Sequence, residues 1–278
     1  MRRTLAAAVI SVIAGVGLAI GGAAGTALAR TGPAFRSPEQ AGYAVSGAHF
    51  TGVEAWVTLP TAAGFAREVG QLGVSAQVMT QRLIVDLKAT TCTTSTCRPG
   101  GRPVRRSYRV QVAVYNRSSH ALVCSTAASG SRECPKVPSS FRSYRVRPGS
   151  KVQLYIIYAP PWDFLFLSVG AAQYNLPVHK HYAFTQARLG VEFGANPWSR
   201  VPFRSPRTPI AITTFGRPKP PPYWAEVITA DGSSGGIAGW WTHHPVMMTR
   251  NGRPDGAPEA RPGALSDHGY RFTVYLEP

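Results

Sequence analysis

The pattern that most narrows the folds open to this chain is a recurrence of short apolar, β-branched runs broken by turn residues. Val53–Leu59, Arg82–Leu87, Tyr108–Tyr115, Val152–Tyr158 and Phe164–Val169 are such runs. Ala187–Phe193, Pro209–Phe215, Trp224–Ile228, Pro245–Thr249 and Tyr270–Leu276 follow. Gly, Pro, Ser or Asn clusters separate most of them, in a chain with 28 glycines and 24 prolines. Runs of this length and spacing read as strands of an all-β sandwich. Only Ala62–Gln71 has the composition for a helical turn or two, and no repeat of fixed period is present. One domain over residues 30–278 is expected, with Pro218–Pro222 as a loop inside it.

Residues 1–29 stand outside that domain. Arg2 and Arg3 precede an apolar stretch from Leu5 to Ile20, and small residues lead to Ala27-Leu28-Ala29. That order is the mark of a secretory signal peptide cut after Ala29. Beyond it no stretch approaches the ~20 apolar residues of a membrane span, so the expected localisation is secreted and extracellular.

Four cysteines suit that compartment. Cys92 and Cys97, then Cys124 and Cys134, form two short-range pairs, and the simplest of the three possible pairings is two local disulfides. Zinc fits poorly, because His120 is the only histidine near either pair.

Charge excludes further classes. Thirty basic residues face 13 acidic ones, for a net charge of +17 with only 15% of residues charged and 44% apolar. Disorder is excluded by that apolar content, and an acid-rich metal scaffold by the scarcity of carboxylates. Lys88, Lys136, Lys151, Lys180 and Lys219 are the only lysines; all other bases are arginine. The basic residues gather at Arg98–Arg109, at Arg142–Lys151 and at Arg200–Arg207, a field that attracts polyanions and weakens with salt. For an exported protein, an anionic cell-wall polymer or lipid headgroups are the expected partners rather than nucleic acid. A solvated surface with no dedicated ligand is the alternative.

Common catalytic motifs have poor contexts. Gly232-Ser-Ser-Gly-Gly236 fits G-x-S-x-G, but a nucleophile elbow needs a helix after the serine, and Ile-Ala-Gly-Trp-Trp follows. His179-Lys-His181 and His243-His244 lack a third ligand by spacing, and HExxH is absent, so surface or loop histidines are expected. Neither a phosphate-binding loop nor a dinucleotide fingerprint occurs.

Alternation within two strands singles out two polar residues. In Tyr108–Tyr115, Tyr108, Val110, Val112 and Val114 share one face and Gln111 stands on the other. In Ala187–Phe193, Ala187, Leu189, Val191 and Phe193 share a face, with Arg188, Gly190 and Glu192 opposite. Successive strand side chains point to opposite sides, so Gln111 and Glu192 each face away from a core.

Several pieces, in order, resemble the glutamic peptidases (eqolisins). Gly42-Tyr-Ala-Val, Phe50-Thr-Gly-Val and Val57-Thr-Leu-Pro60 look like that family's opening two strands. Val146-Arg-Pro-Gly-Ser150 resembles the turn that introduces its long central strands, and Ala187-Arg-Leu-Gly-Val-Glu192 the strand ending in its catalytic glutamate. Val201-Pro-Phe203, Ile210–Phe215 and Leu265–Val274 follow at suitable spacing, the last similar to the closing strand of bacterial members. The resemblance implies a concanavalin-like antiparallel β-sandwich. It also implies an acid endopeptidase needing no cofactor and no metal, in which a glutamate activates water while a glutamine amide stabilises the oxyanion. An unperturbed carboxylate near ~4.3 is partly ionised in acid.

By position Glu192 takes the glutamate's role. One alignment places Gln111 as the glutamine. The other sets Tyr108–Asn116 on the next strand, favoured by Tyr108 and Tyr115, and puts Val85 near the glutamine's position and Gln111 in place of a cleft tryptophan. Either way Gln111 is expected to face the same cleft as Glu192. Arg188 stands where the family usually has an acid, and the Cys124–Cys134 loop looks like an insertion. Two functions follow. One is a secreted, monomeric glutamic-peptidase-like enzyme acting on polypeptide through Glu192 and Gln111. The other is a non-catalytic extracellular β-sandwich, at the bacterial cell surface, binding a cell-wall polymer or polysaccharide.

Overall fold

The computed structural model describes residues 30–61, 72–91, 107–126, 132–159, 163–178, 184–193, 210–216, 225–230, 233–239, 241–249 and 258–277. The expected signal peptide at 1–29, the expected Cys92–Cys97 pair, the expected helical turn at 62–71, the Arg98–Arg106 and Arg200–Arg207 clusters, His179 and His181, Val201–Phe203 and Pro218–Pro222 lie outside those residues.

The chain is built from strands. They begin with β1 (Arg30–Thr31), β2 (Phe35–Ser37), β3 (Gln40–Thr58), β4 (Leu72–Met79), β5 (Leu83–Thr90), β6 (Tyr108–Asn116) and β7 (Leu122–Ser125). A single turn of helix α1 (Ser139–Ser143) precedes β8 (Arg145–Val146), β9 (Lys151–Ala159), β10 (Phe164–Val169), β11 (Ala172–Pro177) and β12 (Phe184–Phe193). The chain continues through β13 (Ile210–Phe215), β14 (Glu226–Thr229), β15 (Ser234–Gly236), β16 (Thr242–Thr249), β17 (Pro258–Pro262) and β18 (Phe272–Leu276). The described part of each apolar run singled out in the sequence overlaps a strand. No helix among the described residues is long and apolar enough to cross a membrane.

Strand β3 ties two layers together. Its first half pairs with β12 on one side and β16 on the other. Its second half, from Gly52, pairs with β9 and β14. The change occurs around Gly47, whose φ of +87° suits a residue without Cβ. The two opening strands implied by the resemblance are therefore one long strand shared between sheets.

The first sheet runs β16-β3-β12-β4-β5-β6-β7, all antiparallel. The second runs β11-β10-β9-β3-β14-β15. Strand β17 pairs with both β16 and β18 and links the layers at one edge. Among the described strands, β1 and β2 pair in parallel with β16, and Ser125 and Glu133 form an isolated parallel bridge.

Period-two patterning places the core between the sheets. In β9, Val152, Leu154, Ile156 and Tyr158 are buried and alternate with half-exposed residues. They share one hydrophobic core with Val74, Ala76 and Val78 of β4 and Val85 and Leu87 of β5. Each fully buried apolar side chain contributes ~1.5–3 kcal/mol relative to exposure. The Cys124–Cys134 disulfide joins the end of β7 to the segment before α1. His243 and His244, expected on the surface or in a loop, are instead buried in β16. His244 Nε2 lies 2.9 Å from Ser46 Oγ, and its Nδ1 lies 3.0 Å from the Pro33 carbonyl. His243 Nε2 lies 3.1 Å from Thr31 Oγ1. Hydrogen bonding to neighbouring strands makes burial of both rings tolerable.

Candidate active site

Register fixes which side chains share the outer face of the first sheet. Reading across the strands, Gln40 stands opposite Glu192, which stands opposite Gly73, then Thr90. Gly42, Gly190, Ser75, Lys88 and Gln111 form the next row. Ala44, Arg188, Gln77, Asp86 and Ala113 form the third. The residues between them in sequence are core. Strand parity alone thus gathers a buried polar face, with Ser75, Gln77, Asp86, Lys88, Gln111 and Glu192 all buried.

Glu192 is the hub. Its Oε1 accepts hydrogen bonds from Gln40 Nε2 at 2.8 Å and Gln77 Nε2 at 2.9 Å. Its Oε2 accepts one from Lys88 Nζ at 2.9 Å. The same ammonium lies 2.9 Å from Asp86 Oδ2, and Gln77 Nε2 also lies 3.4 Å from Asp86 Oδ1. Gly73 is directly opposite Glu192, and a Cβ there would stand 3.1 Å from the Ala89 carbonyl oxygen and 3.3 Å from Thr90 Cβ.

The two carboxyls differ in proton affinity. Burial raises Asp86, the Glu192 charge raises it further, and Lys88 offsets only part, so it is pushed up to about 7. Burial also raises Glu192, but the Lys88 charge and hydrogen bonds from Lys88, Gln40 and Ser75 outweigh it and leave it below the usual range. Burial alone would lower Lys88, yet Asp86 and Glu192 hold it well above its ordinary value. Below the Asp86 value and above that of Glu192, the site therefore holds one ionised carboxylate, one ammonium and one neutral carboxyl.

The sequence reading placed Glu192 and Gln111 on this face, and both are on it. The structure does not bring them together. Strands β4 and β5 lie between β6 and β12, about three spacings of ~4.8 Å, and the Gln111 amide donates to Ser125 Oγ at 3.2 Å. The amide beside Glu192 belongs to Gln77. Val85, given the glutamine's place by the second alignment, points into the core. Gln40, Ser75, Gln77, Asp86 and Lys88 were not singled out from sequence. The usable signal for β4 was its alternation of Leu72, Val74, Ala76 and Val78 with Gly73, Ser75 and Gln77.

Arg188 lies on the same face, one row from the glycine pair Gly42 and Gly190. A Cβ on Gly190 would stand 2.5 Å from the Ala41 carbonyl oxygen, and one on Gly42 2.1 Å from that of Leu189, so these strands approach only as glycines. Beside them is a small, open depression lined by Gln40, Gly42, Ser75, Arg188, Gly190 and Val246, among others. Among the described residues no group of three or more His, Cys, Asp or Glu side chains could hold a metal ion.

No protein-family model and no curated protein matches the sequence at a significant level. Solved structures do match the fold. Scytalido-glutamic peptidase with a transition-state analogue inhibitor covers 87% of this chain and 99% of its own, at 13% identity and a TM-score of 0.51. The same peptidase with a peptide-based transition-state analogue gives 87%, 100%, 12% and 0.50. SCP-B, described as a member of the eqolisin family and bound to the tripeptide Ala-Ile-His, gives 87%, 99%, 12% and 0.48. The fold of this chain is thus a concanavalin-like antiparallel β-sandwich similar to that of scytalido-glutamic peptidase.

Proposed function

We propose that this protein is a secreted glutamic-peptidase-like hydrolase that cleaves polypeptide in acid, with Glu192 as general base and the Gln77 amide as its partner. The observation carrying this reading is the 2.9 Å contact between carboxylate and amide on adjacent strands of one polar face. Lys88 keeps Glu192 ionised at a pH where free carboxylates begin to protonate, so the base survives in acid.

In the hydrolytic step a water takes the place of one donor at Oε1. It forms the new C–O bond at the scissile carbonyl and passes a proton to Glu192. The Gln77 N–H stabilises the oxyanion, the role for which such a donor is worth ~10²–10³ in rate. Collapse of the intermediate breaks the C–N bond, and the proton moves from Glu192 to the leaving amine. Neutral Asp86 limits repulsion in the site. Gln111 lines the face beyond Lys88.

A second reading, a non-catalytic module binding an extracellular polymer, is favoured by one observation. Both Glu192 oxygens already accept from Gln40, Gln77 and Lys88, an arrangement that also suits a purely structural ion pair.

The test compares residues 30–278 with their Glu192→Gln variant on a denatured protein substrate from about pH 2 to 6. Cleavage by the wild type that is lost in the variant supports the hydrolase. Equal background in both overturns it in favour of the binding module.

A further inference from the structure

Arg188 adds a positive charge to this face that Asp86 and Glu192 do not pair. Asp86 and Glu192 are both engaged by Lys88. Arg188, on the same face, has no ion-pair partner among the described residues, and its Nε is buried without a hydrogen-bond acceptor. The nearby charge acting on it is another cation, Arg117. Arg117 in turn is satisfied by neutral groups, donating to the Thr80 carbonyl at 2.8 Å and to Gln186 Oε1 at 3.2 Å. Burial and Arg117 together push Arg188 down to about 10, so it still carries its proton in acid and at neutrality.

The guanidinium is also held in place. Its Cζ lies 5.7 Å from the centre of the Phe35 ring, within cation–π range. Phe35 stacks on His244 at 4.4 Å with an interplanar angle of 14°, and His244 is fixed by Ser46 and Pro33. Arg188 lines the depression whose other wall includes Gln40 and Ser75, the neighbours of Glu192. A desolvated, oriented guanidinium whose buried Nε has no acceptor matches a planar carboxylate.

We propose that Arg188 binds an acidic side chain of a polypeptide ligand, making this face selective for Asp- or Glu-containing segments. The inference rests on the reading of this face as a polypeptide site, but it does not require cleavage. Arg188 and Glu192 are four residues apart on one strand, about 13 Å at ~3.3 Å per residue. The acidic residue therefore lies within about four extended residues of the bond facing Glu192.

The test uses residues 30–278 carrying Glu192→Gln, so that binding is read without turnover. Affinity at pH 5 is measured for one synthetic peptide with a single Glu and for the same peptide with Gln there, at each of several positions. The account expects about tenfold tighter binding of the Glu peptide at one position. It also expects Arg188→Gln to bring that ratio to about one and Arg188→Lys to leave it reduced. Equal affinity for the two peptides at every position overturns the proposal, whether or not the wild type proves to be a peptidase. Binding of inorganic polyphosphate with no Glu preference among the peptides likewise overturns it, in favour of an anionic polymer. A Glu preference that persists in Arg188→Gln does so too.

Discussion

Lys88 reaches over β4 to place its ammonium 2.9 Å from Glu192 Oε2, two strands from its own backbone. This contact joins Glu192 to a second buried carboxyl, Asp86, which the same ammonium also meets. It sets both the stability and the proton affinity of the candidate site.

Removing the cation should therefore leave two buried carboxyls uncompensated. Lys88→Met is expected to destabilise the fold by about 3–5 kcal/mol at pH 7, the usual result of breaking a buried pair from one side. The loss should be smaller near pH 4, where the freed carboxyls protonate. Urea unfolding of the variant at the two pH values measures both effects.

Asp86 and Glu192 should titrate apart. Asp86 is pushed up to about 7, so between about pH 4 and 7 the folded chain keeps a proton that the unfolded chain releases. Its contribution to stability falls as pH rises through that window. Glu192 is held below its usual value, and its contribution is present above the unfolded value and lost as pH falls through the folded one. Carboxyl-selective NMR titration should show two groups with inflections near 7, one lost in Asp86→Asn and the other in Glu226→Gln, and one group below the ordinary glutamate range, absent in Glu192→Gln.

The outer face of the second sheet holds another carboxyl pair. Glu54 and Glu226 are directly opposed across β3 and β14. Burial and the Glu54 charge push Glu226 up to about 7, while a hydrogen bond from Ser234 works against the shift. Glu54 is raised by burial and held back by its bond from Gln153. Since the folded value lies above the unfolded one, ionising Glu226 costs stability as pH rises from about 4.5 to 7. Glu226→Gln should stabilise the protein at pH 8 by up to about 3 kcal/mol and hardly at all at pH 4. Melting curves at the two pH values check this.

Gly190→Ala should disturb the site through the backbone. Its Cβ would meet the Ala41 carbonyl oxygen at 2.5 Å and the Gly42 Cα at 3.4 Å, forcing β3 and β12 apart. A loss of about 1–3 kcal/mol is expected, with weakened hydrogen bonding between Gln40 and Glu192. Amide exchange along β12 reports both.

How much of this was legible in the sequence follows from which interactions are local. The face on which Glu192 and Gln111 stand is set by period-two alternation within one strand, and both were read correctly from it. Their separation depends on strand order. Strand β12 inserts between β3 and β4, so Gln40 and Gln77 flank Glu192 although they lie 152 and 115 residues away in sequence. No local pattern encodes that pairing. Strand β4 escaped notice because Gly73, Ser75 and Ala76 have low strand propensity, although its apolar positions alternate. Lys88 lies one residue beyond the run read as Arg82–Leu87, and a strand lysine ordinarily reads as solvated. Its function as a buried counter-ion emerges only when β12 is set two strands away.

The central claim is that Glu192 works with Gln77 and not with the sequence-selected Gln111. The most direct test is the rate of cleavage of a denatured protein substrate in acid by the wild type, Gln77→Ala and Gln111→Ala. The account predicts a fall of about 10²–10³ for Gln77→Ala and a change of no more than a few-fold for Gln111→Ala. A loss confined to Gln111→Ala, or equal rates in all three proteins, would contradict it.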